Sequence, residues 1–88
     1  MAQVVERNER NKFKVIKVSA AELCRAIGSP GICDYCGKPH EEGYYIAVLN
    51  SWYCPNCYER FIKCRKWHIG DANIEDRNFK YYSKLLGV

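Results

Sequence analysis

Six cysteines stand out among the residues able to do chemistry, and four of them are spaced as two identical pairs. Cys33 and Cys36 enclose Asp34-Tyr35, and Cys54 and Cys57 enclose Pro55-Asn56, with 17 residues between the pairs. A two-residue spacer lets one tight turn aim two thiolates at a single point. Two such turns supply the four soft ligands that a Zn²⁺ tetrahedron takes up, with Zn–S bonds of about 2.3 Å. Gly37 follows the first pair directly and can adopt the positive φ that closes such a turn. Pro55 suits the first turn of a helix, so Cys54 and Cys57 straddle a helix start whose dipole favours thiolate. Lys38, Arg60 and Lys63 are candidates to balance the negative charge of a four-thiolate cluster. With every metal position taken by protein, the expected cofactor is one structural Zn²⁺, with no open site for water or substrate. A redox dithiol would need a βαβ setting that the pattern lacks, and two disulfides are the other reading set aside.

These residues resemble a known group. Cys33-x2-Cys36, a following hairpin, and Tyr53-Cys54-Pro55-Asn56-Cys57-Tyr58-Glu59-Arg60-Phe61 are similar to the treble-clef zinc fingers of the LIM and GATA types. The aromatic before the third cysteine and the Cys-Tyr-x-x-Phe after it are most like the second LIM finger, while the 17-residue spacing also fits a GATA finger. The resemblance spans about residues 32–68. It implies a knuckle, a β-hairpin and a helix around one metal. It also implies either a protein-interaction role or DNA binding through the helix.

The remaining elements must position that module. Phe13–Val18 is β-branched and partly alternating, which reads as a strand. Ser19-Ala20-Ala21-Glu22 is a capping box opening a helix through Leu23 and Ile27 that stops at Gly28. Ser29-Pro30-Gly31 is a turn into the cysteines. Tyr44–Leu49 reads as a strand with Tyr44, Ile46 and Val48 on one face and Tyr45, Ala47 and Leu49 on the other. Asn50-Ser51 turns the chain into Trp52-Tyr53. A helix of about three turns follows Pro55, and its periodicity carries the basic side chains of 58–68. After Gly70 and Asp71, a last helix places Ile74, Asn78, Tyr81, Tyr82 and Leu85 along one side and ends at Gly87. The expectation is a small α+β fold. Residues 1–88 form one zinc-binding domain: a frayed 1–11, a strand and helix in 12–29, the four-cysteine zinc finger in 30–68 and a C-terminal helix in 71–87.

At 88 residues the core is thin, and chains of this size usually add a staple such as a metal. Residues 1–10 contain no secretory apolar stretch, and no run of about 18 apolar residues suggests a membrane span. An intracellular location is therefore expected, cytoplasmic or, in a eukaryote, nuclear, where thiols stay reduced or bind metal. The net charge of +4 lies mainly in residues 1–29, with six Lys/Arg against three acids.

Cys64 and His68, four apart, could bind a second metal with help from Cys24 and His40. The reading preferred is that Cys24 and Cys64 are small buried hydrophobes. Arg60, Lys63, Arg65 and Lys66 are the candidate nucleic-acid contacts, against the alternative of a solvated helix face. Trp52, Trp67, Tyr81 and Tyr82 are assigned to the core rather than to base stacking. No nucleophile–base pair, phosphate loop or paired carboxylates appear, so neither catalysis nor a small-molecule substrate is expected. The function expected is a protein-interaction or adaptor module that binds another protein or itself. The alternative is a small nucleic-acid-binding regulator using the basic helix and the N-terminal arm.

Overall fold

A computed structural model describes residues 2–6, 12–28 and 31–88. Among the described residues, four antiparallel strands, β1 (Gln3–Val5), β2 (Val15–Ser19), β3 (Glu42–Ile46) and β4 (Ser51–Tyr53), form one sheet in the order β1-β2-β3-β4. These residues also form three helices, α1 (Ala20–Ile27), α2 (Pro55–Cys64) and α3 (Ala72–Leu86), the last preceded by a 3-10 turn at Ile69–Asp71. Among the described residues no helix is long and apolar enough to cross a membrane.

Both faces of the sheet are covered, which follows from strict alternation along short strands. Ile16, Val18, Tyr45 and Trp52 face one side, where Leu23 of α1 and Phe79, Tyr82 and Leu86 of α3 pack on them. Val15 and Ile46 face the other side, against Phe13 and against Tyr58 and Phe61 of α2. Neighbouring tyrosines show the switch directly. Tyr44 stacks on Tyr58 of α2 at 4.0 Å, while Tyr45 lies 4.1 Å from Tyr82 of α3.

Local signals set several boundaries. The Ser19 hydroxyl accepts from the Glu22 amide at 3.2 Å, and Gly28 closes α1 with φ 72°. The Glu22 carboxylate meets the Ser19 hydroxyl and also accepts from the Ala2 amide, tying the cap of α1 to the start of β1. Gly87 ends α3 in the same left-handed conformation.

Three expectations need correction. Gln3–Val5, read as part of a frayed start, is an edge strand, because its pairing with Val15, Ile16 and Lys17 supplies the hydrogen bonds that its composition does not advertise. β3 ends at Ile46; residues 47–50 turn, with Asn50 at φ 52°, so Leu49 joins the α2 side rather than that of Tyr45 and Ala47. On α3 the buried side is turned from the one expected. Phe79, Tyr82 and Leu86 face the sheet, and Ile74, Tyr81 and Leu85 are exposed. Residues 7–11 of the expected basic arm, with Arg7 and Arg10, and residues 29–30 of the expected turn lie outside the described residues.

Candidate metal centre

The first cysteine pair sits in a turn at 34–36 that is closed by an isolated bridge between Ile32 and Pro39. Gly37 has φ 72°, and its amide donates to the Cys33 carbonyl at 2.9 Å, while the Cys33 amide donates to the Lys38 carbonyl at 3.0 Å. This is the tight turn that the two-residue spacer and the glycine demand. The second pair stands where β4 passes into α2. Cys54 is the N-cap, in extended conformation, Pro55 occupies the first helical turn, and Cys57 lies one turn along.

The four sulfurs converge. Those of Cys33, Cys36, Cys54 and Cys57 all lie within 4.8 Å of one another, and Cys36 and Cys54 are 4.0 Å apart. A tetrahedron with Zn–S bonds of about 2.3 Å has sulfur–sulfur edges of about 3.8 Å, so the donor set fits one Zn²⁺. A disulfide needs about 2.05 Å, and all six cysteines are free. Cys33, Cys54 and Cys57 are buried and Cys36 is exposed. His40 Nε2 lies 3.8 Å from the Cys36 sulfur, beside the cluster.

The electrostatics of the thiols suit a metal. Burial opposes ionisation of Cys33, but backbone amides of Cys36, Cys54 and Tyr35 directed at its sulfur prevail and bring it down to about 7. Burial and the crowding of Cys54, Cys33 and Cys36 push Cys57 up to about 12. Four thiols in one pocket cannot all ionise without a cation among them, which is the charge Zn²⁺ would supply.

The knuckle is held to the sheet by one side chain whose role the spacing does not reveal. The Asp34 amide donates to the Trp52 carbonyl at 3.0 Å, and the Trp52 amide donates to Asp34 Oδ2 at 2.9 Å. The Trp52 indole in turn donates to the Val18 carbonyl at 3.0 Å. The cysteine knuckle, edge strand and central strand are thereby linked.

Glu75 was not singled out by sequence either. Its side chain is fully buried in the first turn of α3, accepting from the Lys14 amide at 3.0 Å and from the Trp67 indole at 3.1 Å. Lys14 also pairs with Asp76, and Asn78 donates to the Ala47 carbonyl at 2.9 Å. A buried acid with two donors was invisible because neither donor lies on its own helix: Lys14 is 61 residues away, and Trp67, eight away, belongs to the segment between α2 and α3.

The other candidates fall differently from expectation. Cys24 and Cys64 are exposed, not buried. Leu23 takes the inward position of α1 and Phe61 that of the last turns of α2. Helix α2 ends at Cys64, with Arg65 at φ −106° and ψ 141°, so Arg65, Lys66 and His68 do not continue a basic helical face. Past that end the Trp67 indole donates to Glu75 of α3. Cys64 and His68 are therefore not one turn apart on a helix, and among the described residues the four-cysteine cluster alone gathers metal-ligating side chains. Arg60, Lys63, Arg65 and Lys66 are all exposed. Trp52 and Tyr82 serve the core as expected, whereas Tyr81 is exposed.

No protein-family model, no curated protein and no solved structure matches the chain.

Proposed function

We propose that this chain is a non-catalytic, zinc-stabilised interaction module of treble-clef architecture that docks another protein through α3. The order of knuckle, β3–β4 hairpin and α2, with two ligands from the knuckle and two from the helix start, supports the treble-clef reading. With four protein thiolates, the metal would be structural, adding on the order of 10 kcal/mol of binding free energy to folding. Thiols that must stay reduced suit an intracellular setting, cytoplasmic or nuclear.

The observation that carries the docking role is on α3. Ile74, Tyr81 and Leu85 recur at helical spacing along α3 with exposures of 47%, 60% and 40%, and Val88, just past the Gly87 cap, is 43% exposed, although Phe79, Tyr82 and Leu86 already satisfy the core. An apolar stripe left in water on a fold with so little apolar surface to spare marks an interaction face. Arg77, Lys80 and Lys84 belong to the same helix and add positive charge to it. Four side chains per copy are too few to approach the roughly 1,200 Å² of a stable interface, and antiparallel self-pairing would set Arg77 and Lys84 against their own kind. The partner this face fits is an amphipathic segment with acidic residues beside its apolar stripe.

A photo-crosslinking residue at position 81 tests this in cells. The expected result is a discrete adduct with one protein whose purified form binds the zinc-loaded chain, with binding lost in Leu85→Glu. An adduct pattern equal to that from position 41, or binding indifferent to Leu85→Glu, contradicts the reading.

A further inference from the structure

Beside the metal knuckle lies a recess of about 360 Å³, lined by Tyr35, Tyr53, Cys57, Arg60, Phe61, Cys64 and Arg65. Its size falls at the lower end of sites for small ligands, about 300–1,000 Å³. The lining draws on three separate elements: the knuckle, β4, and α2 with the residue that follows it. Tyr35 is 68% exposed, and its ring lies 5.8 Å from that of Tyr53 at a tilt of 53°. Phe61 forms the floor, and the Arg65 guanidinium stands 5.9 Å from its ring centre. Among the described residues neither Arg60 nor Arg65 forms an ion pair, since Lys14–Asp76 is the pair found there.

Two guanidiniums without carboxylate partners among the described residues, at the border of an aromatic recess, define the ligand chemistry. The cations call for an anion that accepts planar, forked hydrogen bonds, and phosphate does so. The open face of Tyr35 calls for a second flat ring, and stacking on it tolerates any base. We propose that this recess binds a single-stranded nucleic acid, with a base stacked on Tyr35 and the adjoining phosphates held by Arg60 and Arg65. A duplex fits less well. A base paired and stacked within a duplex has no free face to lay on Tyr35, which an unpaired base has. This site lies beside α2, across the sheet from the α3 stripe, and the two stand independently.

The test is fluorescence anisotropy of the zinc-loaded chain with a labelled oligothymidylate of about ten nucleotides, a length within the range single-strand sites occupy. Affinity should fall with salt between about 50 and 200 mM, with a logarithmic slope of about −0.7 for each phosphate contacted. The double variant Arg60→Gln/Arg65→Gln should reduce that slope by about 1.4, and Arg60→Lys/Arg65→Lys should restore it. Tyr35→Ala should weaken binding roughly five- to hundredfold while leaving the slope unchanged. Zinc content and far-UV circular dichroism of each variant report that it is folded. Thymidine monophosphate binding as tightly as the oligonucleotide would overturn the strand reading in favour of a lone nucleotide. Equal affinity for duplex, no binding at the lower salt, or indifference to Tyr35→Ala would overturn the site itself.

Discussion

Asp34 and Trp52 hold each other twice: the amide of each donates to the other, Asp34 to a backbone carbonyl and Trp52 to a carboxylate oxygen. The cysteine turn is thereby fastened to the edge of the sheet through a residue lying between Cys33 and Cys36. Removing the carboxylate frees the Trp52 amide and lets the knuckle move relative to Cys54 and Cys57. Asp34→Ala should therefore lower zinc affinity by on the order of tenfold, as changes in groups that support metal ligands do. Competition with a chromogenic chelator measures this. Asp34→Asn keeps one acceptor oxygen and should recover most of the loss. Equal affinities for Asp34→Ala and the parent would show that the clamp does not position the site.

Gly43 faces the same tryptophan. A Cβ there would lie 2.5 Å from two atoms of the Trp52 ring and 2.6 Å from the Tyr53 carbonyl oxygen. Gly43→Ala must therefore displace an indole that is also hydrogen-bonded to Val18, at an expected cost of about 1–3 kcal/mol, the range for overpacked cores. Denaturant unfolding followed by tryptophan emission would read it. Gly70→Ala is the control, because nothing lies within 4 Å of its Cβ position.

Glu75 offers a sharper chemical contrast. Each carboxylate oxygen accepts from a different donor, the Lys14 amide and the Trp67 indole. Glu75→Ala strands both, and Glu75→Gln presents an NH₂ group to one of them, so both variants should lose stability. Each orphaned buried group costs about 1–3 kcal/mol, and the alanine variant should fall furthest. Thermal unfolding of the zinc-loaded forms would order them. A glutamine variant as stable as the parent would mean that one of the two bonds contributes little.

A pH dependence follows from Tyr45. Burial, and secondarily Tyr82, raise its phenol well above the usual 10, and its hydroxyl donates to Asn50 Oδ1 at 2.8 Å. The folded chain thus keeps a proton that the unfolded chain releases. That contribution is fully present below about pH 10 and is lost as pH rises beyond it. Stability should decline with alkalinity from about pH 10, and the decline should be shallower in Tyr45→Phe. Urea midpoints across the alkaline range test the slope; identical slopes in the two proteins would remove Tyr45 as its source.

Much of this arrangement was legible in the sequence, and the reasons are local. The cysteine spacing, Gly37 and Pro55 predicted the convergence of four sulfurs. Ser19 and Glu22 marked the start of α1, and Gly28 and Gly87 the ends of α1 and α3. What escaped depends on partners far along the chain. Gln3–Val5 is a strand only because β2 pairs with it. The end of α2 at Cys64 goes with the capture of Trp67 by Glu75, eight residues on. The exposure of Cys24 and Cys64 follows from which helical neighbour points inward, and the hydrophobicity of a thiol does not report that. On α3, Tyr81 and Tyr82 are equivalent by composition; contact with Tyr45 selects Tyr82 for the core and leaves Tyr81 exposed.

Native mass spectrometry of the chain, purified without chelator, tests the metal centre most directly. The arrangement of Cys33, Cys36, Cys54 and Cys57 predicts one Zn²⁺ per chain, retained in Cys64→Ser and lost in Cys54→Ser. A metal-free mass, or one lowered by the hydrogens of disulfides among those four cysteines, would contradict it.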